Sequence, residues 1–361
     1  MGNFSSERLL NLIFRQLFDN ESCTYTYLLA SRPQGEAILI DPVRNKVNQY
    51  LRLLRELDIR LVKTVDTHCH ADHISGIAFL RDVTQCITIM GTKSSVDCVS
   101  MRVDDGDKIN IEDISLKVHY TPGHTDDSYC FSTNNSIFTG DTLLIRGTGR
   151  TDFQNGDPFE AYKSLFKKVL KHRGDTIIYP GHDYNGNTKS TIAEEIAHNP
   201  RLQVSSAQEY AELMNNLNLP NPKMMDQAIP ANLNMGFSTK NPKIQSKTIT
   251  PSKLKKILEQ NNKKNLLIDL REVFEREKKG IITPSINIPY SNLSEAIKNT
   301  GKLARLIKNN KKTLITYCAY GERSALALSI LDKAGFKDSF HLGGGINSWI
   351  HNGGAVSKSG D

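Results

Sequence analysis

Short apolar runs separated by turn-forming residues dominate the first half of the chain. Residues 25–29, 37–40, 62–66, 116–120 and 137–139 are β-rich and read as strands. Between them, 47–57 and 159–169 repeat apolar positions at helical spacing. Past residue 182 the chain turns mostly helical and Asn-rich, punctuated by Pro220, Pro222 and Pro230. A second regime starts near Thr250: 252–259 helical, 266–269 extended, 303–308 helical, 314–317 extended, 323–334 helical. Such alternation predicts a small α/β domain with a parallel sheet. Residues 237–247 have no hydrophobic period and contain Lys240, Lys243 and Lys247 with Pro242, the pattern of a linker. The 361 residues therefore read as two domains, 1–236 and 249–361, joined by 237–248.

Composition narrows the class. With 38% hydrophobic and 24% charged residues the chain can fill two cores. It has no apolar run of the roughly 18 residues a membrane span needs. The net charge of +7 is unevenly spread: residues 249–361 hold 19 Lys/Arg against 10 Asp/Glu, giving +9 and leaving −2 for residues 1–248. The basic C-terminal part reads first as a solvated Lys-rich face, and second as a surface that attracts anionic ligands. Nucleic acid is not expected as a partner, since no binding motif or interleaved basic and aromatic pattern accompanies the charge. Six cysteines without a C-x-x-C pair argue against a disulfide scaffold or a cysteine zinc site. The N-terminus lacks the apolar core of a secretory signal. The expected compartment is the cytoplasm, or the mitochondrion in a eukaryote.

Chemistry enters with Thr67-His68-Cys69-His70-Ala71-Asp72-His73, followed far along the chain by Gly123-His124, Gly140-Asp141 and Gly181-His182. Each of these positions comes just after a predicted strand. A sheet can hold such loops at one edge and so gather distant residues around a metal. The pattern resembles the metallo-β-lactamase superfamily, whose H-x-H-x-D-H motif precedes a lone His, an Asp and a lone His. The resemblance implies an αββα sandwich with its site at one sheet edge. FRQLFD at 14–19, CTYTYLL at 23–29, IRGTGRTDFQ at 145–154, NPRL at 199–202, NLP at 218–220 and IPAN at 229–232 are similar to the persulfide dioxygenase branch. Thr148 departs from it, since some relatives carry Cys there.

By motif position, that resemblance implies one Fe(II) per chain on His68, His124 and Asp141, a two-histidine, one-carboxylate face with positions left open. His70, Asp72, His73 and His182 would orient ligands or protons, or hold a second metal. Arg150 falls at a positively charged position near the substrate in this family, where it would pair with a glutathione carboxylate or, equally, with a neighbour such as Asp152. Tyr184, two residues past His182, is a candidate hydrogen-bond donor to substrate.

The second candidate lies where the apolar run 313–317 delivers Cys318-Ala319-Tyr320-Gly321-Glu322-Arg323-Ser324 into a helical pattern. A thiolate at a helix N-terminus, ringed by backbone N–H groups and closed by Arg323, has its charge stabilised. The stretch resembles a rhodanese active loop, and LIDLRE at 267–272, NIP at 287–289 and LGGGINSW at 342–349 extend the resemblance over about 249–354. C-x4-R makes a tighter ring than the C-x5-R of phosphatases and favours a sulfane sulfur over a phosphate. Thr283-Pro284-Ser285 in place of a Gly-Ala-like turn, and a loop bearing neutral Ala319 and Tyr320 with acidic Glu322, depart from the pattern and leave the sulfur donor open.

Together the resemblances imply a persulfide dioxygenase fused to a rhodanese sulfurtransferase. Its partners would be glutathione persulfide, O2, glutathione, and thiosulfate or sulfite; a homo-oligomer is left open. Two rival readings stand beside it. One is a glyoxalase II-like thioester hydrolase holding two zinc ions; the other is a non-catalytic sulfur carrier with a structural metal.

Overall fold

The computed structural model describes residues 12–97, 99–234, 242–260, 264–298, 300–307 and 312–358. Residues 237–241 of the expected linker, and Lys308 at the end of the expected helix 303–308, lie outside them. The described residues separate into two compact units, one drawn from 12–97 and 101–234, the other from 242–358 with 99–100.

In the first unit, two six-stranded sheets form the centre. One consists of β1 (Ile13–Asp19), β2 (Thr24–Ala30), β3 (Glu36–Ile40), β4 (Arg60–Val65), β5 (Ile87–Gly91) and β6 (Met101–Val103), in that order. Its first three strands pair antiparallel and the remaining pairs are parallel. The other runs β12-β11-β10-β9-β8-β7, where β7 is Lys108–Ile111, β8 Ile114–Tyr120, β9 Tyr129–Ser132, β10 Ser136–Gly140, β11 Ile177–Pro180 and β12 Ser190–Thr191.

Strand alternation explains how both faces of each sheet are buried. On β2, Tyr27 points at the opposite sheet, where its ring meets Phe138 of β10 at 5.0 Å and Tyr179 of β11 at 5.5 Å. Leu28 and Ala30 point the other way, into a core completed by Val47, Tyr50 and Leu54 of the helix Val47–Glu56 and Leu80 of the helix Ile77–Thr84. The second sheet does the same: Ile137 and Ile178 pack with Ala161 and Leu165 of Pro158–Lys167 and with Tyr210 and Met214 of Ala207–Asn215. Helix, sheet, sheet, helix is the layer order, the αββα sandwich expected from the sequence.

The second unit is a five-stranded, fully parallel sheet in the order β13-β17-β16-β14-β15. These strands are β13 (Thr248–Ile249), β14 (Asn265–Asp269), β15 (Ile286–Asn287), β16 (Thr313–Tyr317) and β17 (Ser339–Leu342). Its core gathers Leu254, Leu267, Ile282, Ile315, Leu342, Ile346 and Trp349. Buried polar ties hold the ends of the central strands. Asp269 takes Arg271 Nε and Nη2 at 2.9 and 2.7 Å and the Tyr317 hydroxyl at 2.8 Å, while Asn287 Nδ2 donates to the Asp269 and Arg271 carbonyls.

Arg323, fully buried, is matched by Glu275 of the helix Val273–Lys279 through two bonds of 2.8 and 2.6 Å. Burial pushes the Glu275 carboxyl up, but Arg323 outweighs it and holds the group below its usual value. A depressed folded-state value contributes stability above the unfolded-state value of roughly 4.3, and that stability is lost as pH falls through the folded one. Glu275→Gln leaves Arg323 charged and uncompensated, so at pH 7 the second unit should lose roughly 3 kcal/mol or more. In denaturant titrations the gap to wild type should begin to shrink as pH drops below about 4, where the unfolded-state carboxyl takes up a proton, and should close once the native carboxyl is protonated at lower pH. A gap that stays constant down to pH 2 would show that the charge pair is not its source.

Candidate metal centre and cysteine loop

Every candidate ligand sits on a loop leaving the C-terminal end of a strand: His68, His70, Asp72 and His73 after β4, His124 after β8, Asp141 after β10 and His182 after β11. The sandwich gathers these loops at one edge. His68, His124 and Asp141 come together with one ligand atom each, all within 4.8 Å of one another. A second group, His70, Asp72 and His73, meets the same criterion.

Hydrogen bonds determine which ring nitrogens face inward. Thr67 donates its N–H and its hydroxyl to Asp41 at 2.7 and 3.0 Å, so toward His68 Nδ1, 3.0 Å away, its oxygen accepts. His124 Nδ1–H donates to the Arg150 carbonyl at 2.7 Å. Both imidazoles thus carry their hydrogen on Nδ1 and keep the Nε2 lone pair free for a cation. His124 Nε2 lies 3.5 Å from Asp141 Oδ2. Two imidazole nitrogens and one carboxylate form a donor set that fits a first-row divalent metal.

His182 braces the centre from behind, its Nδ1 2.6 Å from Asp141 Oδ1 and its Nε2 2.9 Å from Asp72 Oδ2. Burial alone would lower its pKa; the two carboxylates reverse this and raise it well above the ordinary value. Burial likewise pushes Asp141 up, but His182 first and then His124 and His68 draw it far below the carboxylate range. In the second group, Asp72 Oδ2 also takes His73 Nδ1 at 2.9 Å, and the Thr24 hydroxyl stands among Asp72, His73 and His182 at 3.2, 3.3 and 3.0 Å. His70 Nδ1 and His73 Nε2 are buried without a hydrogen-bond partner.

Supports come from farther along the chain. Asn232, buried in the helix Met225–Leu233, donates to the carbonyls of His70 and His73 at 2.8 and 2.9 Å and accepts the Ser75 N–H at 2.8 Å. Gln154 Nε2 holds the Cys69 carbonyl at 2.8 Å. Burial, with Asp127 next to it, pushes the Cys69 thiol up to about 12, so this cysteine between two histidines remains a neutral packing residue.

Arg150 makes the second of the two pairings its position allows, the one with Asp152. Its Nε and Nη2 bond Asp152 at 2.6 Å each, Nη1 bonds the Pro220 carbonyl at 2.6 Å, and the side chain is 11% exposed. The neighbour two residues away has captured the guanidinium, and Arg150 ties 219–220 to the site. Tyr184 is 69% exposed, its ring parallel to that of His182 within 7° at 6.2 Å. Tyr184 also lines a cavity of about 480 Å³ with Gln16, Phe18, Cys23, Tyr25, Asp183, Gly186 and Thr188.

Asp41, Thr67, Thr24 and Asn232 were not singled out as functional from the sequence. Asp41 had a readable signal, a carboxylate placed directly after a strand like the ligands themselves. The hydroxyls and the amide had none, because their role exists only through contacts with distant loops.

In the second unit Cys318 follows β16, and the Gly321 N–H points at its sulfur from 3.1 Å. Gly321 has φ +95°, and a side chain there would also meet the Gly344 backbone nitrogen at 2.7 Å. Ile346 and Asn347 N–H groups grip the Cys318 and Ala319 carbonyls at 2.9 and 3.2 Å, fixing the loop from the helix Gly345–His351. Arg323 touches Glu275, as above. The loop has no Lys, but Lys279 reaches its mouth from another helix, 5.6 Å from the Tyr320 ring centre and 2.9 Å from Asn347 Oδ1.

The two units match two family models: the metallo-beta-lactamase superfamily over 23–96 and 100–182, and the rhodanese-like domain over 250–352. A Homo sapiens protein named persulfide dioxygenase ETHE1, mitochondrial, is 44% identical over 231 residues, which are 63% of this chain and 90% of that protein. The crystal structure of ETHE1 from Myxococcus xanthus matches with TM-score 0.60 at 46% identity, covering 61% of this chain and 98% of that one. A hydroxyacylglutathione hydrolase of Francisella tularensis is 33% identical over 175 residues, 48% of this chain and 68% of that protein. The chain belongs to the persulfide dioxygenase family of the metallo-beta-lactamase superfamily and carries a C-terminal rhodanese domain.

Gly140 tests the geometry of the centre. Its φ is +48°, and a Cβ there would lie 2.6 Å from Thr67 Oγ1, the atom that sets the His68 tautomer. Gly140→Ala should therefore lower metal content several-fold while leaving the second unit's unfolding transition unchanged. Full metal loading in this variant would show that the Thr67 contact does not govern His68.

Proposed function

We propose that the first unit oxidises glutathione persulfide with dioxygen and water to glutathione, sulfite and two protons, and that the second carries sulfane sulfur on Cys318 between thiosulfate and glutathione. The working parts are then 1–236 and 249–361, with 242–248 packed onto the second as the helix Pro242–Gln245 and the start of β13, so that the connection proper narrows to 237–241. One observation carries the dioxygenase reading: His68 and His124 have both spent Nδ1 on oxygen acceptors, leaving two Nε2 lone pairs beside Asp141. A single Fe(II) there would supply a Lewis acid with open positions for dioxygen and an anionic sulfur.

The chain's own residues do the rest. His182 fixes the Asp141 carboxylate and links it to Asp72. The cavity beside Tyr184 takes the glutathionyl part, Phe18 and Tyr25 offering apolar wall and Gln16 and Asp183 polar contacts. Tyr184 offers its hydroxyl at the mouth. Arg150 acts by holding 219–220 in place. In the second unit Cys318 takes a sulfur atom from its donor and Arg323, held by Glu275, shapes the loop around it.

The thioester-hydrolase reading has one observation in its favour, the partnerless Nδ1 of His70 and Nε2 of His73, which would suit a second metal. Against it, Asp72, His73 and His182 already bond one another around Thr24.

The test is oxygen uptake by anaerobically iron-loaded protein given glutathione persulfide, with sulfite measured as product. Uptake matched one to one by sulfite is expected, and hydrolysis of a glutathione thioester without oxygen uptake would overturn the assignment. Cys318→Ser separates the two chemistries, because a serine hydroxyl is a far weaker nucleophile than a thiolate at neutral pH. It should keep uptake on glutathione persulfide and abolish uptake on thiosulfate plus glutathione. Wild-type uptake on that mixture would rule out a relay from Cys318 to the metal centre.

A further inference from the structure

The sulfur of Cys318 is one end of a line of side chains that runs from the buried loop to the surface. Its Sγ lies 3.7 Å from Ser324 Oγ, that oxygen 3.2 Å from His341 Nδ1, and His341 Nε2 2.8 Å from Thr248 Oγ1. Cys318 and Ser324 are fully buried and His341 is 2% exposed, whereas Thr248 is exposed.

The far end sets the direction of the line. Thr248 gives its hydroxyl hydrogen to the Ile244 carbonyl at 2.8 Å, so toward the ring its oxygen accepts and His341 Nε2 carries the hydrogen. Burial, opposed by the Gly321 carbonyl, holds His341 down at about 4, so the ring is neutral near pH 7 and Nδ1 is a lone pair. Ser324 has two acceptors for its hydrogen, the Gly321 carbonyl at 3.0 Å and this Nδ1. When it donates to Nδ1, its oxygen faces the Cys318 S–H as an acceptor, and every donor along the line has an acceptor.

We propose that His341, acting through Ser324, takes the thiol proton of Cys318 as sulfur is loaded and returns it as sulfur leaves. The proposal rests on the reading of Cys318 as a sulfur carrier. In loading, the S–H bond breaks, its proton goes to Ser324 Oγ, and the serine's own proton moves to Nδ1. The freed pair on Sγ forms a bond to the outer sulfur of thiosulfate, whose S–S bond breaks, and sulfite leaves with that pair. In unloading, a glutathione thiolate takes the outer sulfur, Sγ departs with the bonding pair, and the imidazolium gives the proton back along the same line. No external oxidant or reductant enters either step.

Electrostatics gives the proton a reason to stay near. The loaded cysteine is a persulfide anion, and Arg323 is already matched by Glu275, so its charge is largely spoken for. A protonated His341 supplies the balancing charge one hydroxyl away. His341 touches no substrate; it is a positioning residue that also takes a proton.

The test follows alkylation of Cys318 by iodoacetamide in the full-length reduced protein at pH 7, read on the Cys318 peptide by mass spectrometry. Ser324→Ala and His341→Asn should each slow it about tenfold or more, and the double variant should be no slower than either single one. Ser324→Thr, which keeps the hydroxyl, should react like wild type. Asn at 341 is polar but takes no proton, so wild-type reactivity in a folded His341→Asn protein overturns the proposal, as do losses that add in the double variant. Should His341→Asn fail to fold, Ser324→Ala decides alone: it removes a single oxygen atom, and wild-type alkylation in it rejects the relay. Alkylation needs no sulfur donor. Absent sulfur transfer with this alkylation pattern intact would therefore sink the carrier reading and not the relay.

Discussion

The metal centre depends on a constraint that no ligand satisfies alone: each imidazole must arrive with its hydrogen already committed elsewhere. For His68 this is done by Thr67, whose hydroxyl is in turn held by Asp41 at the end of β3; for His124 it is done by a main-chain carbonyl, that of Arg150. Both acceptors belong to the frame of the sandwich. The tautomers, and with them the direction of the lone pairs, are therefore set by folding. Asn232 extends the same logic, since one amide from a helix more than 150 positions away clamps two carbonyls of the histidine loop.

Much of this was legible in the sequence, and the reasons are specific. Strands announce themselves through β-branched and aromatic runs, and the ligands follow strand ends, so sheet and ligand order could be read together. The cysteine loop was legible because a strand, a glycine and a helix start are local events. What was not legible was pairing between distant side chains. Arg150 illustrates the difficulty: a guanidinium beside a cleft and one two residues from an aspartate look alike in one dimension, and the Arg150–Asp152 contact is seen only in three. The same holds for Glu275 and Arg323, and for His341, which in sequence is an isolated histidine in a strand and in the fold is two hydrogen bonds from the Cys318 sulfur.

The two units solve opposite electrostatic problems. The first gathers carboxylates and imidazoles that would repel or neutralise one another without a cation, and it has the residues to hold one. The second buries a thiol among backbone amides with an arginine whose charge is matched by a glutamate. The basic surplus of residues 249–361 suits the anionic sulfur compounds proposed as substrates of that unit. On the proposed function, joining both on one chain would raise the effective concentration of a persulfide at its next site, to an extent set by the connection.

The central claim is that one metal, held by His68, His124 and Asp141, defines the first unit, while His70, Asp72, His73 and His182 serve as its support. Metal content after anaerobic loading with Fe(II), measured per chain by mass spectrometry alongside a parallel loading with Zn(II), addresses it most directly. The account predicts one tightly held metal in either case, with dioxygenase activity in the iron form. Two tightly held ions per chain, with activity in the zinc form and none in the iron form, would contradict it.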